Sequence, residues 1–172
     1  MNIKEIAFSS PDRAQSVPVI IEIPAYADPI KYELDKESGV LAVDRFLQTP
    51  MQYPCHYGLI PNTLGGDGDP LDVLVYAPYK LIPGCLIRVR LLGGIVMHDE
   101  SGEDLKFIAV PISKLSPEFE KFQEVHDLDE GLIKKIFHFF EHYKDLEKGK
   151  WVKMGEIFSA QKAREVLLSS IT

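Results

Sequence analysis

The sequence predicts a mainly β protein of the α+β class, in which short strands form a small closed or partly open barrel and two or three α-helices pack on it. Two observations support this fold class. Segments with β-branched or alternating apolar residues, separated by turn residues, fill the first two-thirds of the chain. In the last third the apolar residues recur at helical spacing. The length of 172 residues suits one domain with a sizeable core, so we expect residues 1–172 to form a single domain.

Several segments have the residue patterns of strands. Residues 17–23 are rich in β-branched side chains, and residues 30–35 alternate apolar with polar ones. Residues 40–47 follow the turn residues KESG, so these last two segments form a predicted hairpin. The remaining strand candidates are residues 71–76, 86–97 and 105–112.

Three later segments are predicted helices. Ser116, followed by a proline, is typical of an N-cap that opens a short helix. Residues 131–149 carry apolar side chains at helical spacing, and Gly149 suits the position just after a helix. Residues 159–170 form a predicted terminal helix, with Ser159 as its N-cap.

The composition is that of an ordinary soluble globular protein, with 45% apolar and 26% charged residues. A net charge of −7 argues against broad electrostatic contact with nucleic acid or with an anionic membrane. The N-terminal MNIKEIAFSS lacks the apolar run of a signal peptide, and no segment is as long as a membrane span. Cys55 and Cys85 lack metal-site spacing and suit a reducing compartment. We therefore expect a cytoplasmic protein.

The segment DGDPLD, residues 67–72, places three aspartates within six residues. Carboxylates this close repel one another at neutral pH, which lowers stability unless a positive charge lies between them. The segment is therefore either a solvated acidic turn or part of a cation site. It does not match an EF-hand calcium loop, because Asp72 and Pro78 stand where that motif requires glycine and glutamate.

Other charged residues are unusual for strands that face water on one side only. Glu22 interrupts an otherwise apolar strand. Arg45 shares a strand face with apolar residues, which costs desolvation unless its guanidinium reaches water or an anion. Asp104 and Lys106 lie two residues apart in a strand, so their side chains share one face. Acids beside bases are the pattern expected where metal ions and phosphates are bound together.

Residues 138–142, HFFEH, match the HxxEH form of some zinc peptidases. His138 and His142 would share one helix face and could bind Zn²⁺, with Glu141 as the base. The sequence shows no third zinc ligand, however, and paired histidines on a helix with apolar residues equally suit a core or an interface.

Six blocks of sequence between residues 17 and 155 together resemble one family. They are IPAYADPIKYELDKESG, LAVDRFL, YPCHYGLIPNTL, DGDPLD, DESGEDLKFIAVP and HFFEHYKDLEKGKWVK. In this order and without large gaps, they are similar to the soluble family I inorganic pyrophosphatases of the bacterial type. The resemblance implies a five-stranded OB-like barrel with flanking helices. It also implies hydrolysis of inorganic pyrophosphate to two phosphates by a metal-activated water, which removes pyrophosphate made in biosynthesis.

The same resemblance implies a Mg²⁺-dependent inorganic diphosphatase that binds several Mg²⁺ ions in each active site. It further implies a homohexamer, built as a dimer of trimers, with His138 and His142 at a subunit interface rather than at a zinc ion. A non-catalytic OB-like binding module on the same scaffold is the alternative. The full set of acids favours catalysis, because a binding module would not need all of them.

The resemblance also implies roles for a set of side chains that are all chemically intact in this sequence. The implied metal-binding acids are Asp67, Asp72, Asp99, Asp104, Glu22, Glu33 and Glu100. The implied substrate-binding residues are Lys31, Glu33, Arg45, Tyr57, Lys106, Tyr143 and Lys144. Asp69 is the implied general base, and Tyr53 is expected to lie behind the residues that touch the substrate.

Overall fold

A computed structural model describes residues 5–8 and 12–172, and within them it contains eight β-strands and two α-helices. The strands are β1 (Val17–Ile23), β2 (Ile30–Leu34), β3 (Leu41–Phe46), β4 (His56–Ile60), β5 (Leu71–Val75), β6 (Leu86–Asp99), β7 (Gly102–Pro111) and β8 (Val152–Ser159). The helices are α1 (Glu130–His142) and α2 (Ala160–Ser170), with short 3₁₀ turns at Arg13–Gln15, Pro117–Lys121 and Val125–Asp127. The N-terminal segment, for which the sequence predicts no signal peptide, lies partly outside the described residues.

Five strands close into a ring in the order β1, β4, β5, β7, β6, because β6 pairs back with β1. Neighbouring strands are antiparallel except β5 and β7, which run parallel. Closure removes the unpaired edges that an open sheet would present to other chains. β8 lies outside the ring and pairs with β6. This arrangement confirms the mainly β fold with a five-stranded OB-like barrel.

The central strands are buried on both faces, which explains their nearly continuous apolar sequences. Leu74 of β5 faces a core cluster that includes Phe139 of α1. The adjacent Val73 faces a second cluster that includes Leu167 of α2. Because successive side chains of a strand point to opposite faces, the two helices cover opposite sides of this part of the sheet.

β2 and β3 form a separate two-stranded sheet beside the barrel, and this confirms the predicted hairpin. Its register pairs Lys31 with Arg45. Directly opposed residues of neighbouring strands project to the same face. The hairpin therefore presents two basic side chains side by side.

Residue patterns alone miss β4 and β8. β4 is buried along its whole length and has no polar alternation. It contains Gly58, where a Cβ atom would lie 2.1 Å from the carbonyl oxygen of Ile20, so glycine permits the close approach of β1 and β4. β8 mixes exposed and half-buried residues without a clear period of two, because it pairs with β6 only at the margin of the barrel.

α1 ends at His142, so the predicted continuation of this helix to Gly149 is wrong. Tyr143 donates the last helical hydrogen bond, at 2.8 Å. Farther along, backbone N–H groups bond to carbonyls three residues earlier, as Glu147 does to Lys144 at 2.9 Å. This tighter bonding converts the expected last helical turns into a loop.

The other two predicted helices differ in their regularity. The segment after Ser116 is only a 3₁₀ turn, and the Ser116 side chain makes no capping hydrogen bond. α2 begins as predicted, because the Ser159 hydroxyl accepts a hydrogen bond from the Lys162 N–H at 3.2 Å. In the described part of the chain, no helix has both the length and the apolar character needed to cross a membrane.

His56, at the start of β4, joins two loops through a buried imidazole that is only 1% exposed. Its Nδ1 accepts a hydrogen bond from the Ala25 N–H at 3.0 Å, and its Nε2 lies 2.9 Å from the Tyr79 carbonyl oxygen. An N–H can only donate and a carbonyl can only accept, so the ring is neutral with its proton on Nε2. Burial lowers the pKa of His56 below its ordinary value of 6.5, although the bond to Tyr79 opposes this shift.

We expect His56 to make the protein less stable as the pH falls below 6.5. The folded state binds this proton more weakly than the unfolded state, so His56 contributes stability above pH 6.5 and loses it as the pH falls toward the lowered pKa. The loss reaches about 1.4 kcal/mol for each unit by which the pKa is lowered.

Urea unfolding of the wild type and of His56→Asn at about pH 7.5 and about pH 5.5 measures this contribution. The difference in the free energy of unfolding between the wild type and His56→Asn should be larger, in favour of the wild type, at the higher pH. His126→Asn, at an exposed histidine, is the control for general charge effects. An equal difference between wild type and His56→Asn at both pH values would contradict the expectation.

Candidate active site

All fifteen side chains that the resemblance implies line one cavity of about 480 Å³. Its walls are the β2–β3 hairpin, the acidic loop before β5, the turn between β6 and β7, and the loop after α1. The fold thus gathers residues that are far apart in sequence, from Glu22 to Lys144. The individual roles of these residues remain predictions.

Lys106 lies at the centre of the acidic wall and is only 4% exposed. Its Nζ is 2.5 Å from Asp72 Oδ2 and 2.7 Å from Asp104 Oδ2, and it donates to the Tyr57 hydroxyl at 3.2 Å. The parallel register of β5 and β7 places Asp72 directly opposite Lys106, while Asp104 precedes Lys106 on the same face of β7. Burial alone would lower the pKa of Lys106, but the two carboxylates raise it well above its ordinary value.

The acids of this wall carry more negative charge than Lys106 neutralises. Burial raises the pKa of Asp104, and repulsion from Asp72 and Asp67 adds to this rise against the opposing effect of Lys106. No three acidic, histidine or cysteine side chains of the described residues are already grouped as a metal site. The Lys106 ammonium occupies the space between the two nearest carboxylates.

The donor set fits a hydrated Mg²⁺ ion. Mg²⁺ takes oxygen ligands, retains several waters, and is held by one or two carboxylates together with substrate phosphates. The carboxylates that line the cavity come from the acidic loop, β5 and β7, among other segments. A site of this kind does not require three protein ligands to be grouped in advance.

The acidic loop has a defined conformation. The Asp69 N–H donates to Asp67 Oδ1 at 3.0 Å, and the Gly65 N–H donates to the Asp69 carbonyl at 2.7 Å. Gly68 has a φ of 87°, which glycine adopts at little cost. Lys36 Nζ lies 2.5 Å from Asp69 Oδ1 and links the hairpin to this loop.

The part of the cavity formed by the β6–β7 turn and the loop after α1 contains a second set of ion pairs. Lys144 Nζ lies 2.8 Å from Asp99 Oδ2, and Lys150 Nζ lies 2.6 Å from Glu100 Oε1. Burial acts to raise the pKa of Asp99, but its hydrogen bond from Lys144 and its other donors lower it overall. These pairs connect the β6–β7 turn to the loop that follows α1.

Glu22 is buried at the base of the cavity, with 5% exposure. Its Oε1 accepts a hydrogen bond from the Leu34 N–H at 2.8 Å. Burial raises the pKa of Glu22 to about 7, with further contributions from nearby Asp72 and Glu33. A cation in the cavity would favour the charged form of this side chain.

Basic and phenolic groups line the same cavity and lie among the acids. On the hairpin, Lys31 Nζ contacts Glu33 Oε1 at 2.5 Å and Asp44 Oδ2 at 3.4 Å. Arg45, whose surroundings the sequence left open between solvent and an anion, lines the cavity and lies 3.7 Å from Glu147. Burial raises the pKa of Tyr57 well above its ordinary value, so its hydroxyl stays protonated.

Sequence reasoning missed three charged residues that pair with the implied set. Lys36 bonds to Asp69, Lys150 bonds to Glu100, and Glu147 lies beside Arg45. A signal for all three was present, since each belongs to a block that carries the resemblance. Glu147 and Lys150 belong to HFFEHYKDLEKGKWVK, and Lys36 belongs to IPAYADPIKYELDKESG.

The HxxEH residues lie on α1, outside the cavity lining. His142 Nδ1 is 2.8 Å from Asp145 Oδ2, and the ring centroids of His138 and His142 are 4.7 Å apart. Among the described residues no third ligand joins them. The histidines therefore form a polar pair on the outer side of the helix.

Known proteins are similar to this chain in sequence and in fold. The family model for inorganic pyrophosphatase matches residues 19–172. The inorganic pyrophosphatase of Escherichia coli (strain K12) is 57% identical over 159 residues, covering 92% of this chain and 90% of that protein. A solved structure of an inorganic pyrophosphatase from Coxiella burnetii is similar with a TM-score of 0.91 at 47% identity, covering 96% of this chain and 98% of that one. The crystal structure of inorganic pyrophosphatase from Thermus thermophilus also has a TM-score of 0.91, at 39% identity and with 99% and 97% coverage.

Proposed function

The chain belongs to the inorganic pyrophosphatase family and hydrolyses inorganic pyrophosphate to phosphate, and from this premise we propose that its reaction depends on Mg²⁺. The observation that best supports the proposal is the convergence of Asp72 and Asp104 on a single ammonium group, that of Lys106. Carboxylates gathered around one positive charge, beside further unneutralised acids, suit a second and stronger cation.

The acids divide into two groups in this proposal. Asp67, Asp72, Asp99 and Asp104 hold the Mg²⁺ ions, and Glu22, Glu33 and Glu100 support them, partly through water. When bound, Mg²⁺ supplies a water of lowered pKa as the nucleophile and neutralises phosphate charge. Several ions in each active site are consistent with the number of acids in the cavity.

Asp69 is the general base in this proposal. Its side chain is 68% exposed at the cavity wall, and its backbone N–H is tied to Asp67. A carboxylate in this position can accept a proton from the attacking water and release it to solvent. Lys36 contacts the same carboxylate, so its side chain would have to move away during turnover to let the water reach Asp69.

The basic and hydroxyl groups bind the two phosphoryl groups. Lys31 and Arg45 approach from the hairpin, and Lys144 approaches from the loop after α1. The hydroxyls of Tyr57 and Tyr143 supply hydrogen bonds to phosphate oxygens, and the ring centroid of Tyr53 lies 5.3 Å from that of Tyr57. Cations around the leaving phosphate stabilise the charge that develops there.

We expect phosphate release from pyrophosphate to require Mg²⁺. Without the ion, the acids of the cavity repel the polyanionic substrate. Phosphate release is measured with purified protein after chelation, and again after Mg²⁺ is added back. Monovalent salt at matched ionic strength is the control. Undiminished turnover of the chelated protein would refute the metal requirement while leaving the family assignment unchanged.

The protein is also proposed to be cytoplasmic and to assemble as a homohexamer, a dimer of trimers, with His138 and His142 at an interface. Residues 1–172 would form one domain in each subunit. We expect sedimentation velocity to show smaller species for His138→Ala than for the wild type, because the substitution removes one of the two paired rings. An unchanged sedimentation coefficient would argue against these histidines as an assembly contact.

A further inference from the structure

Glu147 is a partly buried acid that does not line the cavity but contacts a residue that does. Its side chain is 12% exposed, and its Oε1 is buried without a hydrogen-bond partner among the described residues. The nearest cation is Arg45, whose Nε lies 3.7 Å away and is likewise buried without a hydrogen bond. A carboxylate oxygen and an N–H that face each other in this way are each left incompletely satisfied.

The two residues belong to different elements of the fold. Arg45 is on β3 of the separate hairpin and lines the cavity, whereas Glu147 lies in the loop after α1 and does not line it. The backbone of Glu147 is held by hydrogen bonds of its N–H to the Lys144 carbonyl, at 2.9 Å, and of its own carbonyl to the Lys150 N–H, at 3.2 Å. The backbone of Glu147 is therefore anchored beside the longer and more adaptable side chain of Arg45.

The geometry of the guanidinium determines which of its nitrogens remain available to a ligand in the cavity. Arginine presents its N–H groups in a rigid planar fork, and a phosphate is bound best by two parallel N–H donors of one edge. Glu147 approaches from the Nε side, so the terminal nitrogens remain for a ligand in the cavity. A shift of less than about 1 Å would bring the Nε···Oε1 distance into the 2.7–2.9 Å range of a charge-assisted hydrogen bond.

We propose that Glu147 is a positioning residue, which orients the Arg45 guanidinium toward the phosphoryl group from outside the cavity. The inference rests on the proposed function, because it takes Arg45 to be a phosphate-binding residue. Glu147 thereby couples the hairpin to the loop after α1, which carries Lys144. Removing its charge leaves the substrate cavity intact but allows the Arg45 side chain to adopt other rotamers.

The test is a double-mutant cycle of Glu147→Gln and Arg45→Lys, with kcat and KM measured for pyrophosphate in the presence of Mg²⁺. Loss of a group that orients a ligand-binding side chain costs about 10- to 100-fold, and we expect this loss in kcat/KM for Glu147→Gln alone. In the Arg45→Lys background, which lacks the planar fork, the same substitution should cost less than about threefold. Glu156→Gln, at an exposed residue outside the cavity, is the charge-matched control.

The possible outcomes distinguish the positioning role of Glu147 from the phosphate-binding role of Arg45. If Glu147→Gln costs the same in both backgrounds, Glu147 acts independently of Arg45 and the inference is wrong. If Glu147→Gln has no effect in the wild-type background, the inference is also wrong. If Arg45→Lys alone leaves kcat/KM unchanged, the phosphate-binding role of Arg45 itself fails. Glu147→Asp keeps the charge but withdraws it by one methylene, so it should show an intermediate loss if Glu147→Gln does not fold.

Discussion

Replacing Asp72 with Asn is expected to lower kcat/KM for pyrophosphate by at least about a hundredfold at fixed Mg²⁺, because the substitution removes a carboxylate that we propose to bind Mg²⁺. Asp72 is the acid that lies opposite Lys106 across the β5–β7 register, so it touches both the basic and the acidic parts of the site. The fold should persist, because asparagine has the same shape and Lys106 keeps its pair with Asp104. The loss should therefore appear in turnover and in the Mg²⁺ dependence rather than in the unfolding temperature.

The measurement is a Mg²⁺ titration of steady-state turnover for the wild type and Asp72→Asn, together with thermal unfolding of both. Glu156→Gln removes one negative charge from an exposed position outside the cavity and should behave as the wild type. Wild-type turnover by Asp72→Asn at all Mg²⁺ concentrations would remove Asp72 from the proposed metal-binding set.

The second large effect is on stability. Lys106→Met is expected to lower the free energy of unfolding by about 2–4 kcal/mol in the absence of Mg²⁺. The substitution leaves Asp72 and Asp104 facing each other without the ammonium that separates them. This loss of stability is near the lower limit of what breaking a fully buried ion pair costs. The reason is that the two carboxylates are 26% and 23% exposed, so water screens part of their charge. Methionine keeps most of the length and flexibility of lysine, which limits any packing defect.

Mg²⁺ should restore much of this stability. A cation that binds only the folded protein stabilises it by about 2.7 kcal/mol at a hundred times its dissociation constant. The gain should be larger in Lys106→Met than in the wild type, in which Lys106 already neutralises part of the acidic charge.

Urea unfolding with a chelator and with added Mg²⁺ gives both stability values for each protein. Lys134→Met, at a lysine that is 72% exposed and outside the cavity, is the matched control. A loss below about 1 kcal/mol without Mg²⁺, or an equal Mg²⁺ effect in both proteins, would show that Lys106 does not hold these carboxylates apart.

The strands of the hairpin and the chemistry of the acidic segment could be predicted because their signals are local. Turn residues between two alternating segments predict the β2–β3 hairpin, and Asp104 two residues before Lys106 predicts a shared face. The fifteen cavity residues came from the family resemblance, which carries information about long-range proximity that no local pattern holds. The end of α1 could not be predicted in this way, because the residues up to Gly149 keep helical spacing although the backbone changes its hydrogen bonding after Tyr143.

By itself, the amino-acid sequence determined which side chains are available for chemistry, since crowded acids and misplaced bases are visible without coordinates. Only the tertiary structure decided which of them meet. Closure of β6 onto β1 and the parallel pairing of β5 with β7 bring Asp72 to Lys106, and the loop after α1 brings Glu147 to Arg45. The physical reason is that such contacts follow from the path of the whole chain, whereas propensity and periodicity report only on a residue and its near neighbours.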